Sequence, residues 1–374
     1  MKDPYKRPLL IKILNFFLFP KEYSFDELNT WYEKKYQREL PLKVKKYLSL
    51  LMGDIYQNNN FDPLGKLLFN AFVFENLKNI AFVEREHKKF NKKCIFILGL
   101  PRTGSTYFHQ YLGSDKKFKC FSFWELNHIG RYQFKFLRRL NGKVMLLFQN
   151  YLTPKIQYIH KVNNQGPEEC SKILLCSFIS QIYPLMFHLP NYEKELLNEN
   201  FDYTYEFYYK ALSLIQTNKE TFLLKAPMHL QAIDQLNKYF PNAKYIFLHR
   251  DLSNVLPSAY SLAQTYAHMF TPIYDLEFMI PKMNQRLSFD LEQALKNIKE
   301  LKLKVLHLDY NEIKANPNLL RQKLERFLNQ SLKLKYNERN KVYKKHQYEL
   351  LKEIPKEFNS YLQFYAQLST EDQY

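Results

Sequence analysis

Cys94-Ile-Phe-Ile-Leu-Gly-Leu-Pro-Arg-Thr-Gly-Ser-Thr106 is the stretch on which the fold turns. Its first five residues form a short, continuous apolar run after a polar, basic turn, Asn91-Lys-Lys93, which is the pattern of a strand buried on both faces. Gly99 and Gly104 then have the Gly-x-x-x-x-Gly spacing of a nucleotide-binding loop, and a helix is predicted from Ser105 to Leu112. Glycines in such a turn let successive backbone amides point inward, and the helix adds the positive end of its dipole, so an anion is expected there. Glycine is scarce in this chain, with 8 residues where average usage of about 7% would give roughly 26. Two of those 8 fall in this loop, and a turn that needs positive φ is a physical reason to keep them. In an ATPase or GTPase loop of this type a lysine occupies the position held here by Ser105.

Beyond the loop, Thr221–Leu224, Tyr245–Leu248 and Val305–Leu308 share the character of the first strand, and helical segments lie between them. Strand alternating with helix predicts an α/β fold, a P-loop-type central parallel sheet flanked by helices. Residues 1–90 read as a helical N-terminal extension packed on the core, with three- and four-residue apolar spacing through Leu40–Leu51 and Leu64–Phe82. Residues 91–350 read as the P-loop-like domain. Within it, about 129–219 is predicted to be a helical cap built from Arg131–Tyr158, Glu168–Phe187 and Phe201–Gln216. Asn316-Pro-Asn318 marks a turn before a helix over Leu319–Leu328, and residues 351–374 are read as a C-terminal tail.

The chain has 374 residues, 46% of them hydrophobic, enough to bury a sizeable core. Its 55 basic and 37 acidic residues leave a formal charge of +18, which favours an anionic ligand, an anionic membrane face or nucleic acid. Cys94, Cys120, Cys170 and Cys176 form no Cys-x-x-Cys pair and have no histidine at ligand spacing, so a reducing compartment and no metal are expected. No run reaches the roughly 20 apolar residues of a membrane span. Leu9–Pro20 is basic and apolar, interrupted by Lys12 and Asn15, and suits a helix packed on the body or lying on a membrane surface. A cytoplasmic location, with possible membrane-surface association, is the expectation.

A second anchor lies in Tyr245-Ile-Phe-Leu-His-Arg-Asp-Leu-Ser-Asn-Val-Leu-Pro-Ser258, which puts Arg250 at a strand end and Ser258 eight residues later. With that pair in hand, Pro101-Arg-Thr-Gly-Ser-Thr106 resembles the 5′-phosphosulfate loop of the sulfotransferases that use 3′-phosphoadenosine 5′-phosphosulfate (PAPS). The resemblance is to the bacterial-type subfamily over about residues 90–350 and extends to Gly166-Pro-Glu-Glu169, Leu224-Lys-Ala-Pro-Met-His229 and Asp309-Tyr-Asn-Glu312. Leu252 and Asn254 depart from the residues often found at their positions, with little consequence for mechanism. The resemblance implies that Pro101, Arg102, Thr103, Gly104, Ser105 and Thr106 bind the 5′-phosphosulfate, and that Arg250 and Ser258 grip the 3′-phosphate that distinguishes PAPS from ATP.

Sulfuryl transfer calls for positioning and electrostatics. Arg102 is expected to neutralise the leaving oxygen, and Lys225, at the end of its strand, to approach the leaving phosphate or the cap. A general base must reach the acceptor. Glu125 is the candidate, because it follows the loop by about twenty residues, where related sulfotransferases place a catalytic glutamate. His128 and His229 are the alternatives. Glu168 and Glu169 are expected to line the acceptor pocket, with at least one of them capping the helix that follows. The resemblance implies an acceptor hydroxyl or amine, expected on a small molecule, glycan or glycolipid. Two other readings compete: a P-loop kinase, which would want lysine at position 105 and Mg²⁺, and a basic membrane- or nucleic-acid-binding module. No recognised nucleic-acid motif accompanies the charge.

Overall fold

The computed structural model describes residues 8–335 and 349–368, apart from 87, 128, 130–133, 216, 217, 219 and 220. Four helices come first: α1 (Leu9–Phe17), α2 (Phe25–Tyr36), α3 (Leu42–Asn58) and α4 (Pro63–Arg85). Ser24 caps α2 through the Glu27 amide, and Asp62 caps α4, where Pro63 supplies the preset φ of a first helical residue. Next come β1 (Lys93–Leu98), α5 (Ser105–Leu112), β2 (Phe118–Lys119), α6 (Phe123–Leu126), α7 (Lys135–Leu152) and α8 (Ile156–Ile159). The cap continues through α9 (Ser171–Leu175), α10 (Ile182–Met186), α11 (Pro190–Leu196) and α12 (Asp202–Leu214). It is followed by β3 (Thr221–Lys225), α13 (Ile233–Tyr239), β4 (Lys244–His249), α14 (Leu252–Ala267) and α15 (Leu276–Glu300). The chain ends with β5 (Val305–Asp309), α16 (Tyr310–Ala315), α17 (Pro317–Leu328) and α18 (Asn359–Leu368).

The expected α/β fold is present: the strands form one five-stranded sheet in the order β2-β3-β1-β4-β5, with parallel pairing throughout. Each strand sorts its side chains by alternation onto two apolar layers. Phe96, Leu98, Phe222, Leu224, Tyr245 and Phe247 face a large core that also contains residues of α2, α3, α4, α12 and α15. Ile95, Ile97, Leu223, Ile246, Leu248 and Leu306 face a smaller one closed by α5 and α17. Both faces are covered, which is why the strands read as unbroken apolar runs. The four strands read from the sequence all pair here; β2, only two residues long, has no run to betray it.

The cap is more broken than its periodicity predicts. The stretch expected as one helix over Glu168–Phe187 splits into α9 and α10, with Phe178 between them at φ 60, in the left-handed region. Ser177 and Ser180 side chains bond to nearby backbone there, offering the chain an alternative to the helical ladder. At the other end, Phe358 and Tyr361 are buried in the large core, and the Tyr361 hydroxyl lies 2.9 Å from His249 Nδ1.

Strand order fixes the site. The chain leaves β1 toward β2 on one side and later crosses to β4 on the other, so a crevice opens at the carboxyl ends of β3, β1 and β4. In the register Ile97 pairs with Lys225 and Leu98 with Phe247, which brings Lys225, the Gly99 loop and Arg250 to neighbouring strand ends.

Candidate active site

The loop after β1 takes the conformation its glycines permit. Gly99 has φ 138, and a Cβ there would lie 2.7 Å from the Leu248 carbonyl oxygen. Gly104 has φ 89, and a Cβ would lie 2.6 Å from the Tyr310 ring. Arg102 also sits at positive φ, 75, a conformation strained for a side chain with a Cβ. Ser105 opens α5 and lines the cavity with Pro101, Arg102, Gly104 and Thr106. Thr103 turns inward instead: it is buried, and its hydroxyl donates to the Leu100 carbonyl at 2.9 Å, so it braces the loop from behind.

The second anchor meets the first. Arg102 Nε donates to Ser258 Oγ at 2.8 Å, and its Nη1 donates to the Ile159 carbonyl at 2.5 Å. Arg250 Nη1 donates to the Arg102 carbonyl at 3.0 Å, and its guanidinium stacks 4.1 Å from the Tyr310 ring centroid. Two guanidinium groups and a hydroxyl thus converge on one mouth beside an open helix N-terminus, a set that fits a dianionic or polyanionic nucleotide.

Around the loop lies a cavity of about 860 Å³. Beside the loop, Lys225 Nζ forms an ion pair with Glu169 and stands 3.4 Å from Thr106 Oγ1. His160 Nε2 lies 3.6 Å from Glu168 Oε1. Burial raises the Glu169 pKa, but Lys225 and His160 outweigh it and the net shift is downward. Burial raises Glu168 as well, and the hydrogen bond and charge of His160 together with Lys225 bring it down to about 2. Both carboxyls are therefore ionised at neutral pH. Farther from the loop the lining is apolar, with Ile182, Leu185, Met186, Leu262, Met283 and Leu287. Two buried polar groups interrupt it. Gln181 has neither amide atom bonded, and Asp290 is pushed up to about 6 by burial, against the lowering effect of Arg286 at 3.3 Å.

The remaining sequence candidates lie elsewhere. Glu125 Oε2 accepts from the Ser122 amide at 2.8 Å and hydroxyl at 2.7 Å, and Lys119 holds Oε1 at 2.5 Å. It is not among the lining residues of the cavity, whose carboxylates are Glu169 and Asp290. His229 is fully buried, its ring nitrogens 3.1 Å from the Tyr205 hydroxyl and 3.4 Å from Cys170 Sγ, and burial lowers its pKa to about 3. His128 lies outside the described residues. The expected capping role is not found: α9 starts from Cys170 with no side-chain cap. The Glu168 amide is tied to the Phe121 carbonyl and the Cys170 amide to the Lys225 carbonyl, and Glu169 between them lines the cavity instead. Sequence reasoning gave no sign of His160, just past α8, Gln181, just before α10, or Asp290, within α15, since each is a lone residue with no motif around it.

A family model described as the sulfotransferase family matches residues 94–333, more than half of the chain and all of the site described above. The chain belongs to the sulfotransferase family. Solved structures that share its fold include two mycobacterial sulfotransferases. Sulfotransferase STF9 from Mycobacterium avium aligns with TM-score 0.73 at 18% identity, over 95% of this chain and 98% of that one. Sulfotransferase STF1 from Mycobacterium tuberculosis H37Rv aligns with TM-score 0.68 at 21% identity, over 87% of this chain and 94% of that one. No curated protein matches the sequence. The sulfotransferase's Gly99–Thr106 loop, Lys225 and the Arg250 and Ser258 pair all lie inside the matched segment.

Proposed function

We propose that this sulfotransferase moves a sulfuryl group from PAPS to a hydroxyl of an amphipathic acceptor. The observation that carries the reading is the convergence of Arg102, Arg250 and Ser258 on the mouth of a loop that has Ser105 where a kinase keeps its lysine. Loop amides, Ser105 and Thr106 suit the 5′-phosphosulfate; Arg250 and Ser258 suit a 3′-phosphate. In the reaction, the bond from acceptor oxygen to sulfur forms as the bond from sulfur to the nucleotide oxygen breaks. Arg102, at the cavity wall, supplies positive charge for that leaving oxygen, and Lys225, buried outside the lining beside Thr106 and Glu169, adds to it through the field alone.

The acceptor proton needs a base at the cavity wall. Glu169 is our choice over Glu125, because Glu169 lines the cavity beside Lys225 while both oxygens of Glu125 are held outside it. The His160–Glu168 pair, whose histidine also lines the cavity, is the second reading. Apolar walls with Gln181 and Asp290 among them suit a molecule with a hydrocarbon body and a few polar groups, such as a glycolipid, more than a bare carbohydrate. Incubation of the purified protein with radiolabelled PAPS and pools of lipids, glycans and phenols tests the proposal. Label is expected in an amphipathic fraction, and label only in water-soluble sugars would reject this acceptor class.

A further inference from the structure

Two helices far apart in sequence expose apolar side chains on the side turned away from the body. On α1, Ile11 is buried, whereas Leu9, Ile13, Phe16 and Phe17 are exposed, and Phe19 just beyond is 90% exposed. On α7, Gly142, Leu146 and Leu152 face inward. Phe136, Leu140, Val144, Leu147 and Tyr151, at three- and four-residue spacing, face solvent. The helices meet where Ile11 and Leu152 pack with Leu64. Soluble proteins rarely leave an apolar surface of this extent uncovered without a binding role.

The two helices and the sequence around α7 carry charge of one sign, and the carboxylate next to α1, Asp62, is taken up by Asn15 and the Gly65 amide. From Leu126 through Pro167 the sequence holds seven basic residues and no acidic one, and α1 carries Lys12 and no acid. Lys12, Lys135, Arg139 and Lys143 are all exposed on these two helices. A second copy of the chain would set these like charges against each other. An anionic bilayer complements them and also takes up the aromatic and aliphatic side chains. Among the described residues no helix is long and apolar enough to cross a membrane, so the contact is with one leaflet.

We propose that the α1–α7 face docks the protein on anionic lipid surfaces. Its place relative to the site gives the docking a use. Beyond Leu152 the chain turns through α8 directly into the cavity rim, where Tyr158 is 57% exposed and lines the cavity together with Ile159, His160 and Lys161. Docking of α7 therefore holds the rim close to the lipid. This consequence rests on the sulfuryl-transfer reading; the docking itself does not.

Co-sedimentation of the full chain with phosphatidylcholine vesicles, and with vesicles containing phosphatidylglycerol, separates the two. The protein is expected to sediment with the anionic vesicles and to be released by salt. Phe17→Ser, Phe136→Ser and Leu147→Ser combined are expected to lower the partition coefficient about tenfold or more, and Lys135→Glu with Lys143→Glu to weaken binding only where phosphatidylglycerol is present. Affinity for 3′-phosphoadenosine 5′-phosphate, measured on the same variants, is expected to stay unchanged, which shows that they fold. No sedimentation with anionic vesicles at low salt overturns the proposal, as does sedimentation indifferent to these substitutions. A dimer in light scattering that the apolar substitutions abolish assigns the face to a second copy and overturns it equally. Vesicle binding without any sulfuryl transfer would leave the docking standing and count against the enzymatic reading alone.

Discussion

Arg102 Nε and Ser258 Oγ share a hydrogen bond of 2.8 Å, joining the phosphate loop to the helix after β4 across 156 residues of sequence. The bond ties the Arg102 side chain, which also donates to the Ile159 carbonyl, to the Ser258 hydroxyl. On the proposed PAPS reading, a 3′-phosphate that engages Ser258 would free Arg102 to turn toward the sulfuryl group. Ser258→Ala is therefore expected to weaken 3′-phosphoadenosine 5′-phosphate binding roughly ten- to a hundredfold, the worth of one charge-assisted hydrogen bond, and to leave AMP binding nearly unchanged. Calorimetric titration of both nucleotides reads this; equal losses for the two would detach Ser258 from the 3′-phosphate. Arg102→Ala is expected to abolish turnover without loss of the thermal transition.

Glu169 and Lys225 make a prediction about pH. The net downward shift of Glu169 keeps it a carboxylate below the usual range of such groups, so the acid limb of kcat/KM should lie below that range. Lys225→Met removes the cation and leaves the burial, whose effect is to raise the pKa, so the limb should move toward neutrality. Glu169→Gln should lower kcat about a hundredfold or more, whereas Glu125→Gln should cost stability and little rate. A limb that ignores Lys225→Met, with Glu169→Gln active and turnover lost in His160→Gln, transfers the base role to the His160–Glu168 pair.

Gly104 tests the loop itself. With φ 89 and the Tyr310 ring 2.6 Å from an added Cβ, Gly104→Ala must displace the ring on which Arg250 stacks. Binding of 3′-phosphoadenosine 5′-phosphate is expected to fall by about tenfold or more, as two contacts are disturbed together. Unchanged affinity would show that Tyr310 does not set the position of Arg250.

Buried histidines set the acid stability. Burial lowers His229 to about 3, and lowers His307 and His109 to about 4, from a usual 6.5. The unfolded chain takes up these protons first, so stability is full above about pH 6.5 and declines as pH falls from there toward the folded values. Each unit of difference corresponds to about 1.4 kcal/mol at most. Urea midpoints are expected to drop between about pH 6.5 and 4.5, less steeply below about pH 6 where Asp290, raised by burial to about 6, offsets part of the loss, and with a shallower slope in His229→Phe. A flat profile in that window would show that these histidines do not stay neutral in the folded protein.

Much of this is legible in the sequence because physics repeats itself locally. A strand covered on both sides must be apolar throughout, so Cys94–Leu98, Thr221–Leu224, Tyr245–Leu248 and Val305–Leu308 declare themselves, and Gly99 and Gly104 mark a turn no other residue tolerates well. What stays hidden depends on contacts between distant segments. Nothing in the spacing of Glu125 reveals that Ser122 and Lys119 occupy its oxygens, and nothing near His160 reveals Glu168 beside it. Leu9–Phe17 reads as a packed helix or a surface one until Leu152, over a hundred residues later, is found against Ile11 and the remaining apolar residues are left outside.

Whether the site is made for a nucleotide with a 3′-phosphate is decided by isothermal titration of the wild-type protein with 3′-phosphoadenosine 5′-phosphate and with AMP. The 3′-phosphorylated nucleotide is expected to bind at least about tenfold tighter, and Arg250→Ala to remove the difference. Equal affinities in the wild type would contradict the PAPS reading.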